Sequence, residues 1–149
     1  MDPARTLQFA IRDRLVNTAA VIALVPATSV LDLSSRPELF PSIIMGETQT
    51  MLGQDLLQRD VSRVFLNVHI WTREKGMNEL HSIMSAIRRA MRTSRYFETY
   101  DSETMDDPEN AICDAFIEDS RTMRDPDGET AHGVITINAL VQETWVANL

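Results

Sequence analysis

The sequence predicts an α+β fold: a mostly antiparallel sheet of about four or five strands, with an N-terminal helix and one long central amphipathic helix packed on it. Three observations predict it. Residues 62–73 alternate, with Val64, Leu66, Val68 and Ile70 on one face and Phe65, Asn67, His69 and Trp71 on the other. The second row is neither a solvated face nor a plain apolar one, so both sides of this strand are expected to be covered, by a second layer of the chain or by another subunit. Residues 77–91 instead place Met77, Leu80, Ile83, Met84, Ile87 and Met91 at the i, i+3, i+4, i+7 spacing of a helix. Residues 112–124 and 133–143 read as two strands around the turn Asp125-Pro-Asp-Gly128, whose glycine accepts positive φ, so they form a long hairpin.

Taken in order, the chain opens on Asp2-Pro3, an acidic N-cap followed by proline at the first helical position. Leu7, Ala10, Ile11, Arg14 and Leu15 follow at helical spacing, with Arg5, Arg12 and Asp13 outside the stripe, and the helix ends near Asn17. Val21, Leu24 and Val25 suggest a second helical turn stopped by Pro26, and all three read as core. Residues 30–33 form a brief extended piece, and a loop over residues 34–37 leads to a strand over residues 41–47. Gly46 marks a bulge or a close backbone approach. Residues 47–60 lack clean periodicity and hold Met51, Leu52, Leu56 and Leu57 among glutamines and acids. They read either as a functional loop or as a hairpin arm folded on its own sheet. Glu74 to Gly76 make a turn into the helix over 77–91. Its last turns carry Arg88, Arg89, Arg92 and Arg95, which complement the helix dipole better than they form a phosphate grip. Residues 98–109 hold six acids and no base and read as an exposed acidic loop, and Trp145 anchors the tail by packing. Along the strand 133–143, Ile135, Ile137, Ala139 and Val141 share one face.

The chain of 149 residues fits a single domain over 1–149, long enough to bury roughly 70% of its unfolded surface. A net charge of −8, from 14 basic and 22 acidic residues, argues against wrapping nucleic acid or lying on anionic lipid. The single Cys113 excludes an intrachain disulfide, and the N-terminal residues do not read as a signal peptide. The apolar run 19–25, closed by Pro26, is too short to span a bilayer.

No enzyme template fits. The dinucleotide, phosphate-loop and nucleophile-elbow glycine patterns are missing from the sequence. His69, His81 and His132 lie on a strand, a helix and a hairpin, without the short spacing of a zinc motif. Cys113 on an alternating strand reads as a small buried residue rather than a nucleophile. A calcium loop around Asp125 and Asp127 fails because its first ligand falls on Met123 and its closing glutamate on Val134. The expectation is no catalytic residue, no metal and no cofactor.

The order of short motifs is more informative. The N-terminal Asp-Pro helix with Leu7, Ala10, Ile11 and Leu15 precedes Pro41-x-Ile43-x-x-Gly46-Glu47. Then come Val68-His-Ile-Trp71-Thr-Arg73, Gly76, the helix bearing Ile83 and Ile87, Asp127-Gly128 and His132-Gly133. Over nearly its full length the chain resembles the tail-completion (tail-terminator, tail-to-head joining) proteins of long-tailed phages and gene transfer agents. It departs from them at Thr72, where serine is frequent, and in the 47–60 arm. The resemblance implies a virion structural protein, assembled in the bacterial cytoplasm and located at the head–tail junction. It implies a homo-oligomeric, hexameric ring that caps the head-proximal end of the tail tube, stops its polymerisation and meets the head connector or stopper. The major tail tube protein is the second implied partner, DNA passes as cargo without sequence reading, and no membrane is involved. The structural motif residues are then Pro41, Gly46, Trp71, Gly76, Asp127 and Gly128. The candidate subunit or tube interface is Met51, Leu52, Leu56, Leu57, Phe65, Asn67, His69 and Trp71. A head-side stopper or adaptor is the neighbouring alternative, and a small cytosolic enzyme or ligand-binding α+β domain is the alternative from another class.

Overall fold

The computed structural model describes residues 2–32, 36–52, 60–92 and 110–143. Helix α1 spans Pro3–Val16, and its Asp2 cap accepts a hydrogen bond from the Ala4 N–H at 2.9 Å, satisfying one of the orphan donors of the first turn. Its apolar stripe is fully buried. Arg14 belongs to that stripe and is only 2% exposed. Its guanidinium donates to the Ala90 carbonyl at 3.1 Å, at the C-terminal end of helix α3 (Asn78–Ala90), where a cation meets the negative end of the helix dipole. Helix α2 (Ala19–Ile22) is a single turn; Val21 and Val25 are buried, but Leu24 is 39% exposed and is not core, contrary to the sequence reading. The turn is too short to bury more than one side.

Strands β1 (Val30–Leu31), β2 (Ser42–Leu52), β3 (Val61–Arg73), β4 (Asn110–Arg124) and β5 (Thr130–Glu143) form one sheet in the order β1-β2-β3-β5-β4. The sheet is mixed rather than antiparallel throughout, because β1 runs parallel to β2. β3 alternates without a break: Val64, Leu66, Val68 and Ile70 are fully buried and the residues between them half-buried. Each buried aliphatic side chain contributes about 1.5–3 kcal/mol, so a one-residue slip of this strand would forfeit several at once. That locks the register against β5, whose Ile135, Ile137, Ala139 and Val141 share the same face.

Helices α1 and α3 both lie on this aliphatic face and close one core with it. The expected long central helix is therefore corrected: α3 has 13 residues against 14 in α1, and the two share the cover. Glu74 accepts from the Glu79 and Leu80 N–H groups at 3.2 and 3.0 Å, so the acid of the turn caps α3 from outside it. Gly133 lies beneath α3, where an added Cβ would come within 2.8 Å of Met84 Sδ. The missing side chain lets the helix approach the sheet.

β2 outlasts its predicted end and pairs with β3 as far as Leu52, so the first half of the 47–60 segment is a hairpin arm. The register shifts between Met45 and Thr48, which places a bulge at Gly46 and Glu47. β4 carries two bulges, between Ile112 and Asp114 and between Ile117 and Asp119. The first removes Cys113 from the alternation and leaves it exposed, not buried as its strand position suggested. The expected turn is present, with Gly128 at φ +70°. Residues 53–59 (with Leu56 and Leu57), the acidic segment 98–109, Leu33, Ser34, Ser35, Arg95 and Trp145 lie outside the described residues.

Candidate interface on the open face of the sheet

The second face of β3 is where the predicted site residues converge. Directly paired residues share a face, so the register generates rows across the sheet: Ser42–Trp71–His132–Met123, Ile44–His69–Val134–Arg121, Gln49–Phe65–Asn138–Phe116 and Met51–Arg63–Leu140–Asp114. Phe65, Asn67, His69, Trp71 and Met51 therefore stand on one surface. Leu52 does not: it pairs with Ser62 on the helix-bearing face and is 74% exposed. Among the described residues no helix or strand packs over the open face; α1 and α3 cover the other.

Its first end is built from stacked rings. Trp71 and His132 lie nearly parallel, with centroids 3.9 Å apart, and His69 stacks on His132 at 5.0 Å. His69 Nδ1 meets His132 Nε2 at 2.8 Å and His69 Nε2 meets a Glu47 carboxylate oxygen at 3.0 Å. A carboxylate only accepts, so His69 Nε2 donates to Glu47, and the direction of the His69 Nδ1–His132 Nε2 bond follows the protonation of the pair. Burial, and then the neighbouring His69, push His132 down to about 4. Glu47 would be raised by burial, but hydrogen bonds from its own backbone, His69 and Asn67 outweigh this and hold it below the usual glutamate range. Gly46 makes the relay possible, since a Cβ there would lie 2.5 Å from His69 Cδ2 and 2.8 Å from the Asn67 carbonyl.

Arg36 closes the same end. Its guanidinium lies 5.4 Å from the Trp71 ring and pairs with Asp125 and Asp127 at 3.1 and 2.9 Å. Asp127 also accepts from Thr130 Oγ1 at 2.7 Å and from the Glu129 and Thr130 N–H groups at 2.9 Å each. The Thr130 hydroxyl first, then Arg36, hold the Asp127 carboxyl far below its ordinary range. The motif residues Asp127 and Gly128 thus latch the β4–β5 turn to the segment before β2. Pro41, after a cis bond from Phe40, borders that segment, and Arg73 sits 4.6 Å from the Phe40 ring. Gly76 stands apart, in the turn before α3, where an added Cβ would make ordinary contact with Glu74 Oε1 at 4.0 Å.

At the other end, Phe65, Met51, Leu140 and Phe116 share the face with Arg63, which donates to the Asn138 side-chain oxygen at 2.7 Å. Arg36 and Phe116 escaped sequence reading. Phe116 was legible in part, since it lies in strand 112–124, but the two bulges scramble its facing. Chemically this surface offers stacking, hydrogen bonding and apolar contact. Among the described residues no group of three or more His, Cys, Asp or Glu could hold a metal ion, and no helix is long and apolar enough to cross a membrane. The Cys113 thiol is raised by partial burial and by Asp114 and Asp60, the opposite of an activated nucleophile.

A family model described as "Tail completion protein gp17" matches residues 9–142. The chain belongs to this tail completion family. The match runs from the middle of α1 almost to the end of β5, so it takes in the core, the ring stack and the Arg36–Asp127 latch together. Among solved structures, a chain of "Virion of native gene transfer agent (GTA) particle" is similar with a TM-score of 0.72 and 16% identity, covering 94% of this chain and 97% of that one. At that identity the likeness is one of fold. No curated protein matches the sequence.

Proposed function

We propose that this tail completion protein is a structural virion subunit that forms a ring, hexameric by its family resemblance, on the head-proximal end of a phage-like tail tube. The ring ends tube polymerisation and presents a surface to the head connector, and DNA passes through its lumen unread. The observation that carries this reading is the open sheet face in a chain whose family match spans 9–142. One side of the sheet makes the subunit fold; the other is ordered by its own stack and latch, yet no described element covers it. A closed cyclic assembly joins unlike patches. The Trp71–His132 end and the Phe65–Phe116 end of the open face are two such patches. The net charge of −8 suits a conduit that repels phosphate. Residues Met51, Phe65, Asn67, His69 and Trp71 make the contacts, and no catalytic step is assigned to any of them.

The test is complementation of particles lacking the protein. Addition of the wild-type chain to such lysates gives tails of uniform length joined to heads in electron micrographs. Trp71→Ala, with circular dichroism unchanged, leaves tails overlong or unjoined. Restoration of joining by Trp71→Ala as efficiently as by the wild type removes the open face from the assembly. Normal tails beside leaking heads in the deletion assign the protein to the head-side stopper position instead.

A further inference from the structure

The edge strand β4 ends the sheet with a row of backbone groups that no described strand pairs, and such a row is a template for another strand. Every residue from Glu118 to Arg124 is exposed, although the β5 residues they pair with are buried or half-buried. This half of β4 therefore reaches beyond the cover of the helices. Its side chains have a pattern of their own. Asp119 and Arg121, two residues apart, lie on the open face beside Thr136 and Val134. Phe116 and Met123, beside Asn138 and His132, lie on the same face and are 43% and 39% exposed. Glu118 is turned toward its own sheet by the Asn138 side-chain amide at 3.4 Å.

We infer that β4 pairs antiparallel with β4 of a second copy, about a two-fold axis through Ser120. That axis sets Asp119 opposite the other copy's Arg121, and the reverse, so one strand supplies two opposite-charge pairs. The extra residue of the bulge between Ile117 and Asp119 then brings Phe116, rather than Ile117, opposite the other copy's Met123. Two apolar pairs on the open face flank the two ionic ones. A shifted register loses both matches: an axis moved by one residue, to Arg121, sets that arginine opposite its own copy and Asp119 opposite Met123. The strand is self-complementary in charge, in face and in bulge position, which is why the occupant is a second copy and not an unrelated strand. The contact is isologous. It does not rest on the tail role: a two-fold pair has no place within a cyclic ring, so this dimer is a form of the free chain that separates before a ring closes.

Sedimentation velocity of the full chain over a dilution series tests it. The wild type dissociates reversibly from dimer to monomer. Asp119→Arg and Arg121→Glu, each of which sets like charges opposite twice, weaken the dimer by roughly tenfold or more. The double variant Asp119→Arg, Arg121→Glu returns it toward wild-type affinity. A chain that is monomeric throughout, an oligomer that ignores both reversals, or a correctly folded double variant that stays weak overturns the inference. A second measurement avoids dependence on affinity. In a Cys113→Ser background, Ser120→Cys places two thiols at the axis, where facing Cα atoms lie about 4.5–5.5 Å apart, within disulfide reach. Mild oxidation yields a covalent dimer that reductant reverses. Failure to cross-link faster than a Glu79→Cys control on α3 also overturns it.

Discussion

Gly46 and Gly133 are both places where a side chain is missing because something else occupies its volume, and they differ in what that something is. A Cβ at Gly46 meets the His69 ring at 2.5 Å and a backbone carbonyl at 2.8 Å, neither of which can step aside within a paired strand. At Gly133 the obstacles are Met84 Sδ at 2.8 Å and Leu80 Cδ1 at 3.0 Å, the ends of flexible chains. Gly46→Ala is expected to cost about 1–3 kcal/mol and Gly133→Ala less than about 1 kcal/mol, as read from urea denaturation midpoints. Equal costs would mean that the His69 ring can swing clear. The sequence marked Gly46 as a bulge or a close approach, and it is both. Arg36 gave no such signal. Its partners Asp125 and Asp127 lie 89 and 91 residues away, and nothing local in the segment before Pro37 distinguishes it from a solvated arginine.

Across elements, the Glu47–His69–His132 relay joins β2, β3 and β5, and it carries a pH dependence of defined sign. His132 is held at about 4 when folded, below its ordinary value near 6.5, so the unfolded chain binds the proton more readily. The stability this contributes is fully present above about pH 6.5 and is lost as pH falls toward 4. Arg121 opposes a charge on His132, whereas Asp125 and Glu47 favour one, and burial outweighs them. His132→Gln flattens the slope of stability against pH between 6.5 and 4 in denaturation curves; an unchanged slope assigns it to other groups. The elements themselves were largely legible. Alternation placed β3, helical spacing placed α1 and α3, and the Asp-Gly turn placed the β4–β5 hairpin. What was not legible is the second half of β2. Thr48, Gln49 and Thr50 show no apolar contrast because that half projects past the helices, and only hydrogen bonding to β3 keeps it extended. Bulges were equally invisible: one extra residue changes which side chain faces the core without changing composition, as with Cys113 and Phe116. Likewise, the mixed second row of β3 pointed to a cover from a second layer of the chain or from another subunit; among the described residues no helix or strand supplies one, and the row is tied together by its own stacking and hydrogen bonds.

For the whole molecule, all described helices lie on one side of a single sheet, so the two sides of β3 answer to different demands. Val68 is sealed under α1 and α3, whereas Phe65, three residues earlier, stands half-buried on the open face. In genetic terms these are two kinds of lesion. Val68→Asp removes a chain from the folded pool, because a buried unpaired carboxylate cannot be satisfied, and a cell supplying wild-type protein does not notice its loss. In the proposed ring, Phe65→Asp leaves a folded subunit that still enters by its other patch and spoils the rings it joins. Co-expressed with the wild type, Val68→Asp is therefore recessive and Phe65→Asp dominant, as counted by particle yield. In such a ring, dominance, a property of populations of subunits, is inscribed in the alternation of a single strand.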